Sequence, residues 1–191
     1  MTDPAIFLEI KGLSKVYGHG TSQEVIALEN LNLQVKKGDF VSIIGSNGSG
    51  KTTLLNVISG AVRPTRGSIR LGGTDVTNKP LYKRASQISR VYQDPVAGTS
   101  PSMSVEQNLV LASLRGKGAG LRLGVTQRRK EAIHNLLREL AMGLENRLED
   151  RVSNLSGGQR QALTMVMATM VRPQLLLLDE HCAALDPRMS R

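Results

Sequence analysis

Gly45-Ser46-Asn47-Gly48-Ser49-Gly50-Lys51-Thr52 fits the pattern G-x-x-x-x-G-K-[ST], and its flanks give that pattern mechanical meaning. The apolar run Phe40-Val41-Ser42-Ile43-Ile44 before it reads as a strand, and Thr53-Leu54-Leu55-Asn56-Val57-Ile58 after it reads as a helix. Strand, glycine loop and helix in that order make a phosphate cradle. The glycines let a polyphosphate approach the backbone, so that successive N–H groups point at its oxygens. The positive end of the following helix adds roughly 0.3–1 kcal/mol of attraction for an anion. Lys51 brings a full charge toward the β- and γ-phosphates, and Thr52 brings a hydroxyl suited to Mg²⁺.

The rest of the composition bounds what surrounds that cradle. A chain of 191 residues is long enough for one substantial domain and short for two. Apolar residues make up 40% and charged residues 21%, a globular balance. The longest apolar runs, such as Leu175 to Leu178, fall far short of the ~20 residues of a membrane span. The N-terminus, Met1-Thr2-Asp3-Pro4, lacks a basic start followed by an apolar core, and the single cysteine, Cys182, cannot form an internal disulfide. Together these features point to the cytoplasm. The formal charge of +9 is concentrated at Lys117 to Arg122 and Arg128-Arg129-Lys130. With two Phe, three Tyr and no Trp there is little surface on which bases could stack. A solvated basic face near a membrane or partner is therefore expected rather than a nucleic-acid groove.

Outward from the cradle, Ile6 to Ile10 reads as a first strand, and Val25 to Val35 alternates as a half-exposed strand should. Gly18 to Ser22 is a loop between them, and Lys36-Lys37-Gly38-Asp39 turns the chain toward the cradle. Short strands are expected at Ser68 to Leu71 and Ile88 to Tyr92. From Gln93 the texture changes to turn-forming residues and then to helical patterns. Ser104 reads as an N-cap with Gln107 three residues on, leading into Val105 to Leu114. Arg115 to Gly124 reads as a glycine-rich basic loop. Ala132, Ile133, Leu136, Leu137 and Leu140 then lie at helical spacing in Thr126 to Leu140. Residues 93–150 read as a helical insert between the two parts of the core, 1–92 and 151–191. A helix from Gly158 to Val171 follows, and Leu175 to Leu178 reads as a fully buried parallel strand ending on Asp179-Glu180.

Acidic residues at the end of a buried strand suit phosphate chemistry, which needs a carboxylate for Mg²⁺ and a group to orient or deprotonate the attacking water. Asp179 fits the first role and Glu180 the second. Leu155-Ser156-Gly157-Gly158-Gln159 offers a second anion site: a hydroxyl, two glycines with open N–H groups and a helix N-terminus behind them. Read alone it is an ordinary N-cap. In this company it resembles the signature of ATP-binding-cassette (ABC) ATPases, whose motifs recur here in order across nearly the whole chain.

That resemblance implies an α/β fold: a P-loop NTPase core of parallel sheet flanked by helices, an N-terminal antiparallel β subdomain and an inserted helical subdomain. It implies ATP and Mg²⁺ as cofactors. Gly45, Ser46, Asn47, Gly48, Ser49, Gly50, Lys51 and Thr52, with Thr53 nearby, would hold the phosphates, and Tyr17 resembles the aromatic that stacks on adenine. Thr52, Gln93 and Asp179 would serve Mg²⁺, with Gln93 also contacting the attacking water at the junction of core and insert, and Glu180 acting as general base. Leu155, Ser156, Gly157, Gly158 and Gln159 would cap the ATP held by a second ATP-binding subunit in a head-to-tail dimer. Ala184-Leu185-Asp186 resembles the loop that crosses between subunits. The implied partners are that second subunit, a transmembrane permease and a substrate-binding protein, with the chain peripheral on the inner face of the cell membrane. The Gln93 to Met103 segment and His181 are similar to those of bacterial importers, of a type often assigned to amino acids. Soluble members acting on nucleic acid or ribosomes carry long coiled coils or two cassettes, neither of which is found here.

Two departures stand out. Cys182 occupies a position where many relatives carry threonine. The family's switch histidine lies about thirty residues beyond the acidic pair, and none of His19, His134 or His181 matches it by motif. The expectation is a chain truncated at its C-terminus, able to bind ATP but slow to turn it over.

Overall fold

The computed structural model describes residues 6–116, 127–139 and 142–179. The chain divides into two compact units, Met1–Arg84 and Ala85–Arg191.

In the first unit, strand β1 (Ile6–Tyr17) pairs antiparallel with β2 (Val25–Lys36) on one side and with β3 (Arg66–Leu71) on the other, and β3 continues into the short β4 (Thr74–Asp75). The strand expected to end at Ile10 runs on to Tyr17. Shifts of register at Ile10/Leu13, Leu13/Lys15 and Lys15/Val16 carry it through Gly12, and such bulges bend a strand without ending it. Leu8, Ile10, Leu13, Leu28, Val35, Ile69 and Leu71 are buried along the sheet. Helix α1 (Lys51–Ser59) lies against β2 and buries Leu54, Leu55, Val57 and Ile58. A four-residue helix, α2 (Leu81–Arg84), ends the unit.

Phe40 to Ile44 is not a strand, contrary to its apolar pattern. No ladder partner lies beside it among the described residues, and Phe40 and Ile44 are 89% and 94% exposed. An apolar pattern reports affinity for a sheet interior, whereas a strand exists only where a neighbour completes its hydrogen bonds.

The second unit contains a parallel pair, β5 (Ile88–Val91) and β6 (Leu175–Leu178), in the register Ile88↔Leu175 to Val91↔Leu178. Of the four leucines only Leu177 is fully buried, so β6 is less enclosed than its sequence predicts. Helices α3 (Val105–Ser113), α4 (Gln127–Glu139) and α5 (Gly157–Thr169) share one core: Val105 and Leu109 from α3, Ile133 and Leu137 from α4, and Leu163 and Val166 from α5. Leu136 packs against this core, while Ala132 faces solvent. The expected capping box is present: Ser104 Oγ accepts from Gln107 N–H at 3.1 Å, and Ser104 N–H donates to Gln107 Oε1 at 2.9 Å. Lys117 to Arg122, the rest of the glycine-rich loop to Gly124, Thr126, Leu140 and everything from Glu180 onward lie outside the described residues.

Two arginines tie off the C-termini of α1 and α5. Arg84 is 1% exposed and donates from Nη1 to the carbonyls of Val57 (2.9 Å) and Ile58 (2.7 Å), from Nε to Lys79 O (2.9 Å) and from Nη2 to Thr77 O (3.1 Å). Burial pulls its pKa down, and nearby Asp75 opposes that pull. Arg115 does the same for α5, donating from Nη2 to Ala168 O (3.1 Å) and Val171 O (2.7 Å). A helix leaves its last carbonyls without intrahelical partners, and a buried guanidinium meets several at once. Arg84→Met is expected to destabilise the chain by about 3 kcal/mol, because it strands these buried carbonyls. Equilibrium denaturant unfolding checks this, and a loss under ~1 kcal/mol would contradict the assigned role.

Candidate functional site

The cradle starts from where the chain can place α1. Gly50, the residue before the helix, has φ +89°, and a Cβ built on it would fall on the carbonyl oxygen of Ala27 in β2. Only glycine combines that dihedral with that approach. The helix start is thereby set against the sheet, with Leu54 N–H to Gly50 O at 2.8 Å opening its ladder. Gly50, at the N-cap of α1, makes no side-chain capping bond, so the helix start turns its backbone toward the loop. The preceding loop is closed by Ser49 N–H to Ser46 O at 3.2 Å and by Lys51, whose Nζ donates to Gly45 O (2.8 Å) and Ser46 O (3.0 Å). An anion arriving at the loop competes with neutral carbonyls for the ammonium, a contest that charge favours. Thr52 is exposed on the first turn, and Thr53 is half-buried beside it.

Tyr17 is the last residue of β1 and pairs with Val25. Val25 lies two residues before Ala27, where Gly50 touches β2, so the ring and the helix start share one end of the sheet. Lys15 Nζ lies 4.8 Å from the ring centroid. The loop beyond Tyr17 is pinned by Glu24, which accepts from Gly20 N–H (2.9 Å) and pairs with His19 Nδ1 (3.1 Å). These contacts, the backbone bond first, hold the Glu24 carboxyl below its usual range.

In the second unit, Gln93 and Asp179 stand just past the ends of the paired strands β5 and β6. Asp179 N–H donates to Val91 O at 3.1 Å, extending the ladder by one step. Gln93 is exposed and leads into a single 3₁₀ turn, Pro95–Gly98, capped by Asp94 Oδ1 accepting from Val96 N–H at 2.9 Å. Asn108, buried on α3, anchors the rest of that segment: Oδ1 accepts from Ser100 N–H (2.7 Å), and Nδ2 donates to Ser100 O (3.0 Å) and Ser104 O (2.9 Å). The sequence motifs assign Asn108 no part. An asparagine among the apolar residues of an amphipathic helix was the available signal.

Ser156 caps α5 through a second capping box, accepting from Gln159 N–H and donating to Gln159 Oε1, each at 3.2 Å. Arg147 Nη1 adds a bond to the same Oε1 at 2.9 Å, and Leu155 is buried beneath the turn. Gly157 and Gly158 contrast with Gly50. Neither has positive φ, and a Cβ on either would meet nothing within 4 Å. The chain's own packing does not require glycine at these two positions. Glu180, His181, Cys182 and Asp186 lie outside the described residues.

The ABC transporter family profile matches residues 28–183. The chain is 46% identical over 183 residues to the tyrosine transport ATP-binding protein of Clostridioides difficile, covering 96% of this chain and 72% of that protein. It is 36% identical to the spermidine/putrescine import ATP-binding protein of Lawsonia intracellularis, spanning 99% of this chain and 47% of that protein. Among solved structures, a dimeric ATP-binding cassette in a post-hydrolysis state with ADP and Pi superposes with a TM-score of 0.80 at 29% identity, covering 95% of this chain and 77% of that one. A nucleotide-free cassette from an ABC transporter gives 0.76 at 27%, covering 97% and 73%. The chain belongs to the ABC transporter family and carries its ATP-binding domain, the part that powers transport.

Lys51→Ala is expected to weaken nucleotide binding at least about tenfold, because it removes charge-assisted bonds of ~1.5–3 kcal/mol. The two loop bonds it also loses are solvent-exposed, so stability should fall by less than ~1 kcal/mol. Fluorescent-nucleotide titration alongside thermal unfolding checks both; unchanged affinity would contradict the role of Lys51.

Proposed function

We propose that Gly45 to Thr52 holds the triphosphate of ATP, with Lys51 on the β- and γ-phosphates and Tyr17 against the adenine. Thr52, Gln93 and Asp179 would hold Mg²⁺, which supplies charge neutralisation at the phosphates when bound. The fit rests on donor chemistry, since a hydroxyl, an amide oxygen and a carboxylate are the hard oxygen ligands that Mg²⁺ takes. The Asp179 position also already stabilises a cation, the guanidinium of Arg90 at 2.8 Å. Glu180 would take the proton of the attacking water, and Gln93 would orient that water.

The site is completed by a second ATP-binding subunit in a head-to-tail dimer, whose Leu155 to Gln159 close over the nucleotide, with Asp186 crossing between the subunits. Gly157 and Gly158 carry this reading. Two adjacent glycines that nothing in their own chain demands are accounted for by close approach of a ligand from outside it. The solved relative described as dimeric and bound to ADP and Pi supports the same arrangement.

The partners we assign are a transmembrane permease and a substrate-binding protein, with this chain peripheral on the inner face of the membrane. Among the described residues no helix is long and apolar enough to cross a membrane. The 46% identical relative is named for tyrosine transport, and an importer of an amino acid is the reading we adopt for the cargo.

The test separates stability from assembly. Gly158 lies in the first turn of α5, where alanine is a better helix former by up to ~1 kcal/mol. Gly158→Ala should therefore match or exceed the wild type in thermal unfolding and bind nucleotide as well. ATP-dependent dimerisation and turnover should fall at least about tenfold, a loss of ~1.4 kcal/mol. Unaltered turnover, or a loss of activity that tracks a loss of stability, would contradict the proposal.

A further inference from the structure

Arg90 occupies an unexpected place for an arginine. It lies inside β5, in a four-residue strand whose other members, Ile88, Ser89 and Val91, are all buried. The two-residue period of a strand puts Arg90 and Tyr92 on one face. The parallel register sets Arg90 beside Leu177, and the same period puts Asp179 on that face as well. The side chains meet there. Arg90 Nη2 donates to Asp179 Oδ2 at 2.8 Å, with side-chain exposures of 6% and 8%, and Arg90 Cζ lies 4.7 Å from the Tyr92 ring centroid. The guanidinium is thus held between an aromatic face and a carboxylate.

The guanidinium sets a positive charge against that carboxylate. A buried ion pair gains little over an apolar packing of the same volume, so stability alone is a weak reason for placing one in a strand. Asp179 is also the carboxylate to which the proposed function gives the divalent cation. A carboxylate has two oxygens, so one cation on Oδ2 does not by itself prevent binding of a second. Two cations on one buried carboxylate nevertheless repel each other strongly, because the surroundings screen charge poorly. Stacking on Tyr92 keeps the guanidinium from swinging away to relieve that repulsion.

We infer that Arg90 is a positioning residue that acts through Asp179: it is the carboxylate's resident counter-cation, and by competing with Mg²⁺ it sets the metal concentration at which nucleotide is held. This rests on the reading of Asp179 as a metal-facing residue. Arg90 contacts neither substrate nor reacting atoms in this account. It orients Oδ2 through the hydrogen bond and weakens the attraction of the site for a further positive charge.

The experiment uses the whole chain and reads binding rather than turnover. Affinity for a fluorescent ATP analogue is measured across a series of Mg²⁺ concentrations for the wild type and for Arg90→Met, Arg90→Gln and Arg90→Lys. Removing the charge should lower the half-saturating Mg²⁺ concentration about tenfold or more in Arg90→Met and Arg90→Gln. Arg90→Lys keeps the charge and should stay close to the wild type, a pattern that loss of packing alone would not produce. Arg90→Gln retains a donor for Asp179, so the comparison of Gln with Lys decides the matter if Arg90→Met fails to fold. Midpoints that coincide in Gln and Lys variants, or that rise when the charge is removed, would overturn the inference while leaving ATP binding intact. A wild type whose nucleotide binding ignores Mg²⁺ would overturn the metal reading on which it rests.

Discussion

The approach of Gly50 to the Ala27 carbonyl is the constraint on which the phosphate end of this molecule depends. It fixes the first turn of α1 against β2 and so determines where the helix N–H groups point. Because Tyr17 pairs with Val25 on the neighbouring strand, the same contact sets the cradle beside an aromatic ring. Lys51 is the first residue of the helix, so its reach back to Gly45 and Ser46 follows from that placement too. A side chain at position 50 would move all of these together.

Each of the two helices that present an N-terminus to the proposed nucleotide chemistry is tied at its opposite end. Arg84 closes α1 and Arg115 closes α5, each from a segment outside the helix it serves. Positive charge at a helix C-terminus complements the macrodipole, and it also anchors the helix axis to neighbouring backbone. The N-termini differ in a way that suits different roles. The N-cap of α1 is a glycine with no side chain to cap it, whereas α5 is capped by Ser156 and Gln159 and keeps its two glycines open to the outside.

The parts of the fold that were legible in the sequence are those whose physics is local. Gly45 to Thr52 carries its own turn chemistry, and Ser104 with Gln107 and Ser156 with Gln159 carry their own caps, so a few adjacent residues sufficed. The alternation in Val25 to Val35 likewise matched β2. Phe40 to Ile44 failed because ladder pairing depends on a neighbour far along the chain, which an apolar run cannot name. The extension of β1 past Ile10 was hidden because Gly12 looks like a strand end and here marks a bulged stretch. Arg90 with Asp179 is a pair 89 residues apart, created by parallel register, and Arg84 meets carbonyls 26 and 27 residues before it. Neither a partner set by parallel register nor a backbone acceptor has a sequence signature, so neither arginine could be assigned a role beforehand. The candidate site residues Lys51, Asp179 and Ser156 stand in motifs, while the arginines that hold the surrounding elements in place do not.

In the proposed head-to-tail assembly one chain supplies two halves of different composite sites. Mixing a Lys51→Ala chain with a Gly158→Glu chain tests it most directly, with nucleotide-dependent dimer formation measured by light scattering. In the mixed dimer one site loses both halves, and the other combines an intact cradle with an intact Ser156–Gln159 cap. Neither variant is expected to dimerise alone on adding ATP and Mg²⁺, and the mixture is expected to do so. A mixture as inert as its components, or either variant dimerising alone as well as the wild type, would contradict it.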